Sequence, residues 1–326
     1  MLKDDPNYVN ADKVYYELAW AQQTSGDKAA ARESFAKLGT SYPKSPHAAE
    51  SWINVGDFEY QDKKDYKSAA AAYEKALAAA PVDALAESAT HMLGWSLFNQ
   101  NDFAAASKRF AEQIAKYPKG KKAADGAFMA GETLFKQDQF AAAAPILEKA
   151  SAADLSLPLY KELALLHAAQ SAAQTKKWEQ ALKLSERFVK EFPTGGYLGE
   201  ATYEQAWSKQ NLKQLDDAFG LYEHAFAEAT KAAKGELAAR AKFMAGEILF
   251  EQGKHNEAVK SFYKVAYGAD PKTFPTWQAN SLYEAARCFE VLKNVDQAKK
   301  LYAELVATYP ESDKLKPAEQ RLAALR

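Results

Sequence analysis

Small and apolar positions alternate with charged stretches along this 326-residue chain in a pattern that repeats every 37 to 40 residues. One alanine marks each repeat: Ala31, Ala69, Ala106, Ala143, Ala181, Ala218, Ala258 and Ala298. A second small residue precedes each alanine by 12 or 13 positions: Ala19, Gly56, Gly94, Gly131, Ala169, Ala206, Gly246 and Ala286. A period of this length is typical of solenoids built from stacked helical pairs. The pattern therefore predicts an all-α protein of eight helix pairs.

A large apolar residue follows the repeating alanine by four positions in most units: Phe35, Tyr73, Phe110, Leu147, Tyr222, Phe262 and Tyr302. Ser185 breaks this column, and we expect Phe188 to fill its place. The small residues should let the two helices of a unit approach closely, while the large residue should fill the gap to the next unit. Proline closes many units because it cannot continue a helical hydrogen-bond ladder, and Pro145 should kink or delay the helix that contains it.

The repeat predicts one solenoid domain over residues 10–310, with its softest joint at the loop 151–158, and a capping helix over 312–326. Its units are expected at 10–43, 46–81, 83–118, 121–155, 158–193, 196–231, 234–271 and 276–310. The capping helix should place four apolar residues inward: Leu315, Ala318, Leu322 and Leu325. Four charged residues should face water: Lys314, Lys316, Glu319 and Arg321.

One unit carries Trp52, Val55-Gly56, Ala69, Tyr73 and Pro81 in that order. This order resembles the tetratricopeptide repeat, and eight coincident units make the resemblance cover residues 10 to 310. The resemblance implies a right-handed α-solenoid in which each unit has a helix A and a helix B. It also implies that the A helices line a concave groove that binds a peptide or helix of a partner protein.

Aromatic residues occupy the A-helix positions that this resemblance assigns to the groove. Residues at i and i+4 share one face of a helix, so three aromatic pairs should each lie side by side there. The candidate partner-binding residues are Tyr16, Trp20, His91, Trp95, Phe98, Phe128, Tyr203, Trp207 and Phe243. Trp and Tyr are common in binding hot spots, but the same side chains could instead pack against the next A helix. Trp52 and Trp178 fall in other columns, where we expect core packing.

The junctions between units share an aromatic-Pro-polar-small pattern, as in Tyr42-Pro-Lys-Ser-Pro and Tyr309-Pro-Glu-Ser-Asp. Long repeats with such junctions look like bacterial envelope proteins related to the TolA-binding (YbgF/CpoB) and BamD lipoproteins. This resemblance implies a periplasmic or cell-envelope location, with the cytoplasm as the alternative. The polar start at Met1 lacks an export signal. We expect it to be a boundary inside a longer protein; in the other interpretation it is a natural start, with residues 3–10 as an irregular cap.

Composition argues against several other classes of function. The chain has 42 basic and 43 acidic residues, a net charge of −1, so nucleic-acid binding is not expected. No apolar run is long enough to insert into a membrane. Cys288, the only cysteine, should be a small buried residue. The five histidines fall in different units and no catalytic or phosphate-binding motif occurs, so we expect no metal, no cofactor and no enzymatic activity.

Together these patterns predict a non-enzymatic scaffold that binds a partner peptide or helix in its groove, in the organisation of a bacterial cell envelope. The alternative is a structural subunit that assembles through its repeat ends or convex face into a larger complex, so self-association is possible.

Overall fold

The computed structural model describes residues 8–79 and 81–325, and this part of the chain forms helices and loops without any strand. Its elements, in chain order, are α1 (Ala11–Thr24), α2 (Lys28–Ser41), α3 (Ala48–Phe58), a π-helix (Glu59–Lys63), α4 (Tyr66–Ala78), α5 (Asp83–Asn99), α6 (Phe103–Lys116), α7 (Ala123–Phe135), α8 (Phe140–Ser151), α9 (Pro158–Gln174), α10 (Trp178–Glu191), α11 (Leu198–Asn211), α12 (Leu215–Lys231), α13 (Gly235–Glu251), α14 (His255–Ala266), α15 (Pro275–Val291), α16 (Val295–Thr308) and α17 (Leu315–Ala324). The predicted helix pairs are confirmed: odd-numbered α1 to α15 are the A helices and even-numbered α2 to α16 are the B helices. Of the irregular cap that one interpretation places at residues 3–10, residues 3–7 lie outside the described residues.

These helices form two compact units, one up to Ala164 and one from Leu165 onward. Successive helices pack against each other from α1 to α8 in the first unit and from α10 to α17 in the second. Further contacts join A helices to each other: α3 to α5, α11 to α13 and α13 to α15. The A helices therefore present a shared surface in each unit, which we call the A-helix face. The prediction of one continuous domain over 10–310 stays a prediction.

The small residue of each repeat, such as Gly56 or Gly94, sets how closely its two helices pack together. A Cβ atom built on Gly56 would lie 2.6 Å from the Tyr73 ring, and one on Gly94 would lie 2.8 Å from the Phe110 ring. The large residue thus lies directly on the small residue of its own repeat, a contact that the spacing did not predict. It also packs toward the next repeat, since Tyr73 shares a core cluster with Leu93. All eight repeating alanines are at most 1% exposed, so this position belongs to the core in every repeat.

A left-handed residue lies in the turn that follows each A helix, as is common where a helix stops. These residues are Gly26, Lys64, Asn101, Asp138, Lys176, Lys213, Gly253 and Lys293. Each follows the small residue of its repeat by seven positions, except Lys64, which follows Gly56 by eight. The π-helix Glu59–Lys63 lies between these two residues. Because a π turn accommodates one extra residue, it absorbs the insertion and keeps the repeat in register.

Two local predictions need correction. Pro145 does not delay α8, which begins at Phe140 and continues past the proline to Ser151, and the kink named as the other outcome stays a prediction. The capping helix α17 buries Ala318 completely and packs Leu322 and Leu325 against the core, as predicted. Arg321, however, does not simply face water, because it donates a hydrogen bond of 2.8 Å to the Glu290 carboxylate. The helix is shorter than the predicted 312–326, since it begins at Leu315 and ends at Ala324.

Candidate partner-binding surface

Trp95 is the centre of an aromatic cluster on the A-helix face of the first unit. Its indole Nε1 donates a 3.1 Å hydrogen bond to His91 Nε2. Its ring lies 5.8 Å from Phe98 and 6.3 Å from Tyr160, measured between centroids. Trp95 and Phe98 remain partly exposed, so this cluster offers aromatic surface to a partner. Tyr160 is a member that the sequence analysis missed, since it lies outside the columns used there.

Three predicted contact residues are buried and need correction. His91 is 5% exposed, Phe128 is 2% exposed and Tyr203 is 5% exposed, so their side chains offer almost no surface to a partner. His91 Nδ1 lies 3.1 Å from the Gln113 amide oxygen, and burial lowers the pKa of its imidazole. Phe128 stacks on Tyr160 at 4.7 Å. These three residues therefore follow the packing alternative, in which an A-helix aromatic supports its neighbours.

Of the two candidate residues in the first repeat, Tyr16 packs against the next repeat and Trp20 stays partly exposed. The Tyr16 hydroxyl donates a 2.9 Å hydrogen bond to Glu50 of the next repeat, and its ring stacks on His47 at 4.1 Å. Trp20 lies edge-on to Phe35 at 5.6 Å and stays partly exposed. Tyr16 thus connects two repeats, while part of the Trp20 side chain remains available to a partner.

Trp207 and Phe243 lie on the A-helix face of the second unit, and both are partly exposed. The Trp207 ring is 5.2 Å from Trp178, so Trp178 supports a candidate contact residue and is itself only partly buried. Phe243 lies 5.5 Å from Phe262 of its own repeat and 5.6 Å from Trp277 of the next. The structure thus keeps Trp20, Trp95 and Trp207 at the surface, each one residue after the small residue of its repeat.

Three carboxylates on the A helices of the second unit were not singled out from the sequence. Glu204 on α11 is 4% exposed and Glu284 on α15 is 7% exposed. Burial raises the pKa of the Glu204 and Glu247 carboxyls to about 7, and it also raises the pKa of Glu284. The Arg240 guanidinium on α13 lies 3.7 Å from the centroid of the Tyr203 ring. Of these three carboxylates only Glu247 occupies a position of the aromatic candidates, one residue after the small residue Gly246, and this was the available signal.

Other chemistry has little support among the described residues. No group of three or more His, Cys, Asp or Glu side chains there could hold a metal ion. No helix in the described ranges is both long and apolar enough to cross a membrane. Cys288 is fully buried, as predicted, and burial raises the pKa of its thiol to about 12. A cavity of about 610 Å³ lies beside Pro275, Tyr309 and Pro310, among loops rather than on the A-helix face.

Solved structures with the same fold include a tetratricopeptide repeat protein from Parabacteroides merdae, with a TM-score of 0.53 at 13% identity, covering 85% of this chain and 98% of that one. YrrB, described as a TPR protein with an unusual peptide-binding site, has a TM-score of 0.51 at 21% identity, covering 65% of this chain and 98% of its own. The C-terminal part of a TPR protein from Cytophaga hutchinsonii has a TM-score of 0.50 at 13% identity, covering 93% and 98%. No curated protein sequence matches the chain significantly.

Two family models, both described as tetratricopeptide repeat, match the sequence itself. One matches residues 16–84, 91–156 and 203–272, and the other matches 163–195 and 280–312. These matches cover most of the chain and coincide with the helix pairs of the structure. The chain therefore belongs to the tetratricopeptide repeat family.

Proposed function

We propose that this protein is a non-enzymatic scaffold that binds a segment of a partner protein on its A-helix face. The observation that carries the proposal is the position of Trp20, Trp95 and Trp207. All three stand one residue after the small residue of their repeats, and all three remain partly exposed, Trp20 and Trp95 on A helices of the first unit and Trp207 on an A helix of the second. Large rigid aromatics in such surfaces supply much of the binding energy of protein interfaces.

Two further points support a peptide or helix as the occupant. The repeat family is a protein–protein interaction module, and the related structure of YrrB is described as having a peptide-binding site. Partly buried Met92 and Met244 also lie on this set of helices, and flexible methionine beside aromatics suits an adaptable binding surface.

A cell-envelope role is part of the proposal. It is supported by the aromatic-Pro-polar-small junctions, such as Tyr117-Pro-Lys-Gly and Phe192-Pro-Thr-Gly, which are similar to those of envelope proteins of this family. Fractionation of cells that express the native gene tests it directly. Recovery with the periplasmic or envelope fraction is expected, whereas recovery with cytoplasmic markers would contradict this part alone.

The binding role is tested by partner capture from envelope extract with immobilised wild type, Trp95→Ala and Trp207→Ala. Each truncation should weaken capture, by roughly 1–4 kcal/mol for a hot-spot aromatic. Tyr267→Ala is the matched control, because Tyr267 is an aromatic that is 51% exposed but lies after a B helix. Circular dichroism verifies that all variants are folded. Equal recovery by all four proteins would place the binding surface elsewhere.

Light scattering on the same preparations addresses the structural-subunit alternative. A monomer over a wide concentration range is the expected result. Growth of assemblies with concentration, undiminished in the two tryptophan variants, would favour assembly through the repeat ends or the opposite face.

A further inference from the structure

A cavity of about 290 Å³ opens in the second unit where α12, α13 and α14 meet. Four residues of α13 line it: Gly235, Ala238, Ala239 and Lys242. Their spacing of three and four positions places them on one side of the helix, and none of them is a candidate residue of the A-helix face. The cavity is therefore a second site, separate from the proposed partner-binding surface.

One wall of this cavity belongs to the loop 267–274, the longest loop between consecutive helices in the described ranges. The buried Gln278 side chain fixes the loop, because its amide donates a 3.0 Å hydrogen bond to the Asp270 carbonyl and accepts one of 3.2 Å from the Phe274 backbone N–H. The Phe274 ring lies directly over Gly235, where a Cβ atom would be 2.5 Å from its Cζ. The wall is therefore held in place by its own contacts before any ligand binds.

The lining combines apolar side chains with positive charge. Phe226 of α12 and Phe274 of the loop supply large apolar surface, and none of the described lining residues is acidic. Of the two lysines that line the cavity, Lys242 is neutralised by a 2.7 Å ion pair with Glu223. Lys264 on α14 is exposed and forms no ion pair with a carboxylate of the described ranges. Its ammonium group is therefore available to an anion that enters the cavity.

The size of the cavity narrows the class of ligand. An apolar cavity of about 150 Å³ in another protein holds one benzene molecule. A volume of about 290 Å³ therefore has room for one ring and a short side chain. The apolar lining would cover the ring, and a carboxylate at the end of the side chain would accept a charge-assisted hydrogen bond from Lys264.

We propose that this cavity binds a small organic acid, with an apolar body of about one aromatic ring and one carboxylate that Lys264 holds. The proposal goes beyond the scaffold function, since it assigns a ligand to a different surface of the protein. A molecule bound there contacts α12, α13, α14 and the loop 267–274 together, and so it stabilises the second unit.

Ligand-observed NMR titration of the full chain with 3-phenylpropanoate, at neutral pH, tests the proposal. Neutral 3-phenylpropanamide, which has almost the same shape, is the comparison ligand. Wild type should bind the acid with a millimolar dissociation constant, as expected for a ligand of this size. It should bind the amide up to about fivefold more weakly, since an ion pair at an exposed lysine adds no more than this. Ala239→Leu, which fills the cavity from α13, should abolish binding of both ligands.

Lys264→Met keeps the aliphatic stem and removes the charge, so it should weaken binding of the acid and leave the affinity for the amide unchanged. Lys300→Met is the matched control, because Lys300 is an exposed lysine on the next B helix, α16, and should leave both affinities unchanged. Circular dichroism verifies that the variants are folded. The proposal is overturned if wild type binds neither ligand, if it binds both equally, if folded Ala239→Leu still binds, or if the two lysine variants lose equally.

Discussion

Adding one methyl group at two glycines of the second unit separates helix propensity from repeat packing. Gly220 lies in the interior of α12, and a Cβ atom there would have no neighbour within 4 Å. At Gly246 in α13 the same atom would lie 2.6 Å from Phe262 Cε1. Because Ala favours a helix over Gly by about 1 kcal/mol, propensity alone would stabilise both variants equally.

Packing makes the two sites differ. Ordinary contact between carbon atoms needs about 3.5–4.0 Å, so the Phe262 ring or the helix must retreat by about 1 Å in Gly246→Ala. Phe262 is fully buried, so this displacement disturbs a filled core. Overpacking of this kind costs about 1–3 kcal/mol. We therefore expect Gly220→Ala to stabilise the protein and Gly246→Ala to be less stable than it by about 1–3 kcal/mol.

Urea unfolding followed by circular dichroism measures both free energies of unfolding. In three other repeats an aromatic side chain already lies near an alanine, at Ala19, Ala206 and Ala286. The alternative is therefore that the two helices of a repeat move apart and accommodate the added methyl group without loss of stability. Equal stabilisation by Gly246→Ala and Gly220→Ala would show that the small column does not set the helix crossing.

Three further predictions concern the helix ends, the π-helix and pH. Lys176 has a φ of 59°, so Lys176→Gly should stabilise the protein by up to about 1 kcal/mol. Lys183→Gly inside α10 should destabilise it by a similar amount. Equal changes in the free energy of unfolding, measured in urea, would contradict this prediction. Deletion of Gln61 should convert the π turn to ordinary helix and keep the fold. Deletion of Gln100 in the next repeat, which has no extra residue, should lower the melting temperature sharply. A similar fall in melting temperature in both variants would refute the argument that the π turn absorbs an insertion. Burial raises the pKa of the Glu204 carboxyl to about 7 in the folded protein, above its unfolded value near 4.5. Between these two pH values the folded state binds more protons than the unfolded state. The free energy of unfolding therefore falls as the pH rises through this range. Glu204→Gln should therefore gain stability relative to wild type between pH 5 and pH 8, and a constant difference would contradict the shifted pKa.

The repeat unit could be predicted in detail because it rests on local rules. Tiny residues at one position and large residues at another leave few ways to cross two helices, so the helix pairs follow from residues such as Gly94 and Phe110. The contact between those two was missed because spacing alone does not say which neighbouring helix a side chain meets. The π-helix was missed although Gly56 and Ala69 are one residue further apart than their counterparts.

The candidate site could be predicted only in outline. A helical position gives the face of a helix but not the depth of its side chain, and that depth depends on the neighbouring repeats. His91 and Trp95 illustrate the difference, because they share one face and yet only Trp95 keeps exposed surface. Glu204 illustrates the opposite case, because an acidic residue that the sequence did not single out is 4% exposed and lies beside Gln170 of α9 and Arg240 of α13.

Site-specific photo-cross-linking tests the binding surface most directly. A benzoyl-phenylalanine placed at Met244 lies on the A-helix face, and one at Lys260 lies on the exposed side of the B helix α14. In envelope extract, a specific partner should cross-link at position 244 and not at position 260. Cross-linking of the same partner at position 260 alone would contradict binding on the A-helix face.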